Sequence, residues 1–485
     1  MSGLEKISFD SIIEICSFLS TSELLKLSFT CFTYYNSLLN NREIMKSHKF
    51  TVKKKIPNFS FIKNIPYKIL NLDLNRTDII RDKDFVYLKK IYELDISYCN
   101  KITDKAFINL KGIHALNMSY CIQITDDAFK NLKGIHTLNM SKCNQKAITD
   151  DAFENLRGIH TLNMTYCSQN TITDKAFENL KGVHTLNMWY CDQNTITDKA
   201  FENLKGIHTL NMSHCHQNTI TDKAFENLRG IHTLNMSHCD QNTITDKAFE
   251  NLKGIHTLNM SHYYGKTITD KAFENLKGIH SLNISNCYQI TDKAFENLKG
   301  IYSLNMLGCN QKTITDKAFK YLKGIHTLNI SYCKQITNKA FINLRGIHTL
   351  VMSHCHQNTI SNKGLKYLKG IHTLDMSGCN QNSITDKAFE NLKGIHTLNM
   401  SWCNQNTITD KAFVNLKGIH TLNMSYCYQN IVTDKAFENL KGIHKLNMSY
   451  CFQNTITDKV FEHLKGIKIT DKAFEHLKGI HTLDV

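Results

Sequence analysis

From residue 69 onward the apolar positions recur every 22 or 24 residues at fixed internal spacing. In one unit, Ile207, Leu210, Met212 and Cys215 make an LxxLxLxxC pattern whose centre alternates apolar and polar residues, which predicts a short strand. Thr221-Asp222 then supplies a helix N-cap signal, Ala224, Phe225 and Leu228 share one face at helical spacing, and Gly230 stands where a left-handed C-cap is wanted. Each unit therefore reads as strand, loop, brief helix and glycine turn. A unit this small cannot bury its own apolar face. Stacked copies bury it in a continuous core, with strands in a parallel sheet at ~4.8 Å spacing.

The cysteines mark the register, stepping by 22 or 24 residues from Cys99 to Cys451, with Tyr263 filling the one gap. The shorter unit drops two residues just after the cysteine, as in Cys121-Ile122-Gln123-Ile124, so that point is a loop. Strand starts are expected at Ile69, Ile91, Ile113, Ile135, Ile159 and onward to Ile443, then at Ile480. The first unit has Thr77 where cysteine is expected, and a whole strand segment is missing near residue 467, where the last unit reads as truncated. The organisation is a helical module over 1–50, a linker over 51–68 and a repeat array over 69–485.

Composition changes this picture little. The seventeen cysteines are odd in number and regularly spaced, which indicates reduced, packed thiols rather than a disulfide framework. No secretory signal and no run of ~18 apolar residues is visible, so a soluble, intracellular and most simply cytoplasmic protein is expected, with no membrane partner. Of the net charge of +15, the first 68 residues hold +5. The remainder reads as spread along the repeats, many of which are locally neutral, as at Asp246, Lys247, Glu250 and Lys253. On that reading no compact basic patch interleaved with aromatics is present, and nucleic acid is not an expected partner.

His214-Cys215-His216 has the look of a metal site, but in the repeat register Cys215 points inward as one rung of a cysteine ladder. No metal or cofactor is expected. No Ser/His/Asp, Cys/His or paired-carboxylate constellation stands outside the repeat pattern, so the chain reads as a non-catalytic binding protein. A second histidine series, from His114 to His444 with Tyr302 the one substitute, precedes each strand and predicts a surface column. There, like charges ~5 Å apart would oppose joint protonation. Thr209, Asn211 and Ser213 are expected to project from the concave strand face. Variation between units is concentrated beside the cysteine, and exposed aromatics there are candidate contact residues. The partner-binding candidates are Tyr166, Trp189, Tyr190, His214, His238, His262, Trp402, Tyr426 and Tyr450.

The units resemble the leucine-rich repeat in its cysteine-containing subtype, whose units read LxxLxLxxC…ITD. That resemblance implies an α/β solenoid, with parallel strands on the concave face and short helices on the convex face. Residues 4–50 do not fit the repeat. They resemble the F-box at Ile7-Ser8, Asp10, Ile12, Ile15, Phe18-Leu19, Leu24-Leu25, Leu27, Cys31 and Tyr34, with Ser8 in place of the usual proline and Tyr34 in place of tryptophan. The Asn-, Lys- and Ile-rich, freshly duplicated character is similar to F-box/leucine-rich-repeat proteins encoded by giant DNA viruses of amoebae. What the resemblance implies is a substrate receptor of a cullin–RING ubiquitin ligase, acting in a host cell if the chain is viral. Ile7, Ile12, Ile15, Leu19 and Leu24 would dock on a Skp1-like adaptor, and the repeats would hold an unidentified protein substrate. The alternative is an interaction scaffold with no ligase link, whose N-terminal helices only cap the solenoid.

Overall fold

The computed structural model describes residues 49–51, 71–75, 80–89, 91–428, 431–451, 454–457 and 459–460. Its contacts divide the chain into two compact units, residues 1–234 and 235–485. Within the first unit, the three-residue strands Thr161–Asn163, Thr185–Asn187 and Thr209–Asn211 pair in parallel with Leu162, Leu186 and Leu210 in register. In the second, Thr257–Asn259, Ser281–Asn283 and Ser303–Asn305 open a ladder that runs on to Lys445–Asn447. Each unit is an α/β leucine-rich-repeat solenoid, as the resemblance implied.

The strands start two residues later than the apolar pattern predicted. The Ile207 N–H turns back to the Leu204 carbonyl at 3.0 Å, closing the glycine turn, whereas the Thr209 N–H is among those that reach across to the previous repeat, meeting the His184 carbonyl at 3.0 Å. An unpredicted strand, Lys49–Thr51, pairs in parallel with Asn71–Asp73 and crosses the expected boundary between helical module and linker. The rest of the expected F-box module lies outside the described residues, as does the truncated segment near 467.

Between strands the core repeats itself. Ile207, Leu210, Met212, Cys215, Ile220, Ala224, Phe225 and Leu228 are all buried, and so are their equivalents in repeat after repeat. The helix is one turn, Asp222–Phe225, tightening to a 3-10 turn over Glu226–Leu228. Gly230 follows at φ +81°, the left-handed conformation that glycine adopts without a Cβ penalty.

The helix start is held from two sides. The Thr221 hydroxyl oxygen accepts from the Lys223 N–H at 3.2 Å, the expected cap. The same threonine donates its own N–H and hydroxyl to Asp198 Oδ1 and Oδ2 of the preceding repeat, both at 2.7 Å. This inter-repeat clasp recurs along both units, for example between Asp386 and Thr409.

One expectation is corrected. Ser213 does not project from the strand face but is only 3% exposed. The strand has ended at Asn211, whose Oδ1 accepts from the Ser213 N–H at 3.1 Å and hydroxyl at 2.7 Å, and this Asx turn curls the chain inward. Thr209 and Asn211 remain half-exposed, as read.

Candidate recognition surface

The residue before each repeat cysteine, and before Tyr263 in the repeat that lacks one, sits in the left-handed region. In fourteen repeats it is not glycine, with φ from +54° to +61°, and Gly308 and Gly378 occupy the same register at +70° and +64°. Such a conformation costs a bulky residue about 1–2 kcal/mol, so something must hold it. Backbone hydrogen bonds along the array do part of this, with the Tyr166 N–H donating to the Trp189 carbonyl at 2.8 Å and the Tyr190 N–H to the Ser213 carbonyl at 3.1 Å.

Stacking does the rest. In the first unit Tyr98 and Tyr120 stack at 4.0 Å between ring centroids, and the Lys142 ammonium lies over the rings of both Tyr120 and Tyr166, at 4.7 and 4.6 Å. Tyr166, Tyr190 and His214 continue the column at 4.6 and 4.3 Å, and Trp189 packs edge-on against Tyr166 at 5.2 Å. The hydrogen bond with Tyr120 raises the Lys142 pKa.

In the second unit the ladder is broken into short stacks. His238 pairs with His262 at 4.3 Å, Tyr332 with His354 at 4.7 Å, and Trp402, Tyr426 and Tyr450 form a run at 4.1 and 4.5 Å. Gly308 and Gly378 provide no ring at two of the breaks. Trp402 is 46% exposed and Tyr450 36%, so the last stack offers the widest open aromatic surface of the candidate positions. The structure thus brings the predicted contact residues together in three sets, Tyr166, Trp189, Tyr190 and His214 in the first unit, and the pair His238 and His262 and the run Trp402, Tyr426 and Tyr450 in the second. Sequence reasoning missed that the ring positions are left-handed. The signal was present, since Gly, Asn and His alternate with aromatics there.

The predicted histidine column is also observed. His114, His136, His160, His184, His208 and His232 stack in the first unit at 4.5–4.6 Å. In the second, Tyr302 stands in the stack between His280 and His326, and the column runs on to His444. One ring nitrogen of each typical member lies about 3.1 Å from the next threonine hydroxyl, as His208 Nδ1 does from Thr209 Oγ1 at 3.1 Å. Burial first, and the neighbouring imidazoles second, lower the pKa of His136, His184, His372 and His420.

A model of the BspA-type leucine-rich repeat region matches in six overlapping copies, from residues 54–184 to residues 358–481. The chain belongs to the BspA-type leucine-rich repeat family. This family differs in name from the cysteine-containing subtype that the motif suggested, although the leucine-rich repeat itself is common to both. No curated protein matches the BspA-type chain. Among solved structures it is similar to the TLR13–ssRNA13 complex, at 17% identity and a TM-score of 0.60 over 86% of this chain and 68% of that one. The glycosylated Toll–Spatzle complex of Drosophila is similar at 13% identity and a TM-score of 0.50, over 79% of this chain and 56% of that one. At these identities the likeness is one of fold. BspA-type repeats of this kind form a protein-interaction scaffold.

The cysteines of the BspA-type repeats lie behind the aromatic ladder. Cys215 is fully buried and its Sγ donates to the Met188 carbonyl at 3.3 Å, the same contact that Cys403 makes with Met376. Burial pushes the Cys309 thiol up to about 12 and also holds the Cys191 thiol well above its ordinary value. His214 and His216 meet edge to face at 6.0 Å on the rim, with Cys215 turned away from them. Among the described residues no group of three or more His, Cys, Asp or Glu is placed to hold a metal ion. Likewise among the described residues, no helix is long and apolar enough to cross a membrane. The adaptor-binding candidates Ile7, Ile12, Ile15, Leu19 and Leu24 lie outside the described residues.

Proposed function

We propose that this protein is a non-catalytic substrate receptor of a cullin–RING ubiquitin ligase. The repeats grip a target protein through the aromatic ladder, and the N-terminal module docks on Skp1. The observation that carries the recognition half is that bulky rings are held in the left-handed region beside most strand ends, twelve of the sixteen such positions, where a smaller or more flexible residue would be cheaper. Rigid aromatics stacked in a row offer contact area at low entropic cost, which is what interface anchors require. The ligase half is supported by the F-box-like residues preceding the repeats. Its chemistry is positional: the receptor raises the effective concentration of the target near the ubiquitin-charged enzyme and contributes no reacting group.

A second reading is favoured by the strand Lys49–Thr51, which extends the parallel sheet on the N-terminal side of Asn71–Asp73. A segment that adds a strand to the array also serves as its cap, and the protein would then be an interaction scaffold with no ligase link. Co-purification of the full chain with Skp1, beside a Leu19→Asp/Leu24→Asp variant whose circular dichroism matches wild type, separates the two. A stoichiometric complex lost in the variant establishes the receptor. No complex from a folded wild type leaves the scaffold.

A further inference from the structure

Between residues 312 and 370 the repeats carry ten Lys and Arg and a single acid, Asp316, a local net charge of +9 within a chain whose total is +15. All ten cations are exposed. The expectation of charge spread evenly over the repeats is corrected here. The middle of the helix, which is glutamate in most repeats (Glu202, Glu250, Glu296), becomes Lys320, Ile342 and Lys366 in three consecutive ones.

The helix-capping acid is lost as well, in a manner that isolates charge as the variable. Asn338 and Asn362 replace the clasp aspartate, yet Asn338 Oδ1 still accepts from the Ser361 N–H at 2.9 Å, and its Nδ2 donates to the Ser361 hydroxyl at 2.9 Å. Asn362 holds Thr385 in the same way at 3.0 and 2.9 Å. The fold contact is kept and the negative charge is gone. Asp316, the acid that remains, is engaged in its clasp with Thr337.

We propose that this helix face of the second unit is a docking surface for the phosphate backbone of a double-stranded nucleic acid. Arg345, Lys366, Lys369 and Tyr367 line an open hollow of about 450 Å³ on it. The Tyr367 ring carries the Arg345 guanidinium at 5.0 Å and the Lys366 ammonium at 4.9 Å, and Lys320 lies over Tyr321 at 4.4 Å. With their rings engaged by cations, these tyrosines are not platforms for unpaired bases, and what the face offers is positive charge. That suits a duplex, whose closely spaced phosphates release counterions when neutralised. An anionic membrane fits less well, because surface anchoring draws on apolar insertion as well as charge. Among the described residues of this face, Ile342 is the one large apolar side chain that stands exposed.

The test is fluorescence anisotropy of the full chain with a labelled 24-base-pair DNA duplex and, separately, an RNA duplex, across a salt series. Binding in the micromolar range is expected, with affinity falling as about the fifth power of salt if roughly six phosphates are contacted. The variant K320E/N338D/K366E/N362D gives each position the acid that other repeats carry there. It should bind at least tenfold more weakly at about 100 mM salt, with a salt slope shallower by about 2. A second variant, K323Q/R345Q/K369Q, strips the adjoining row and covers the case in which the first misfolds. Equal binding of folded variants and wild type overturns the proposal by moving the site elsewhere, for instance to the basic N-terminal segment. No binding of either duplex at 50 mM salt overturns it, as does capture by phosphatidylserine vesicles without binding to duplexes.

Discussion

Replacing Trp402, Tyr426 and Tyr450 tests how the aromatic ladder is held. Two triple variants differ by three methyl groups, all three residues changed to glycine or all three to alanine. The parent residues sit at φ +59°, +57° and +59°. Both variants lose the stacks at 4.1 and 4.5 Å, worth about 0.5–1.5 kcal/mol for each ring pair. Glycine also relieves about 1 kcal/mol or more of left-handed strain at each position, which alanine keeps. Glycine returns part of that as unfolded-chain entropy, roughly 0.4–1 kcal/mol each. Intrinsic helix and strand preferences rank alanine above glycine, so the expected order here is reversed. The glycine triple should be the more stable by about 1–2 kcal/mol, or roughly 2–8 °C in the calorimetric transition of a domain of this size. The glycine variant should therefore lose target binding while staying folded. An alanine triple that melts at or above the glycine triple would refute the account of strain.

Other consequences are as direct. Asp198→Asn should be near neutral in stability, since Asn338 makes the same clasp, whereas Asp198→Ala leaves the Thr221 N–H without its acceptor and should cost about 1.5–3 kcal/mol, read by chemical denaturation. Under native conditions at pH 8 the repeat cysteines should be silent to Ellman's reagent, because a thiol near 12, as at Cys309, is thiolate in only about one molecule in 10⁴, and all should react in guanidinium. The histidine column makes stability pH-dependent. Because His136, His184, His372 and His420 are lowered in the fold, the unfolded chain takes up protons first as pH falls. Their contribution is complete above the unfolded value of about 6.5 and is lost on going below it. The melting temperature should drop between pH 7.5 and 5, and less so when His184 and His372 are changed to tyrosine, the residue already tolerated at Tyr302.

The repeat was legible because one physical pattern was written many times. Ile207, Leu210, Met212, Cys215, Phe225 and Leu228 could each be placed inside from spacing alone, and every one is buried. What spacing did not reveal were the contacts that cross from one unit to the next. Thr221-Asp222 was readable as a cap for its own helix, but nothing within one unit says that Asp198 holds Thr221. Ser213 was misplaced because alternation was carried one residue beyond the strand, past the Asx turn at Asn211. The left-handed ring positions needed the hint that Gly308 and Gly378 alternate with tyrosine. The basic face from 312 to 370 was visible in the residue string but lost when charge was averaged over the array.

The clasp from each aspartate to the next threonine has a consequence for the history of the array. Most joints are made by the same Asp–Thr pair in the same register, and Asn338 and Asn362 keep the same geometry where they replace the aspartate, so a whole repeat can be duplicated or excised and the new junction closes in the same way as the old. Copy number is then nearly free of cost to the fold, while each event slides one cluster of rings or charges past another by a single rung. Such a molecule can change the spacing of what it presents by recombination alone, one step at a time, before any side chain has mutated.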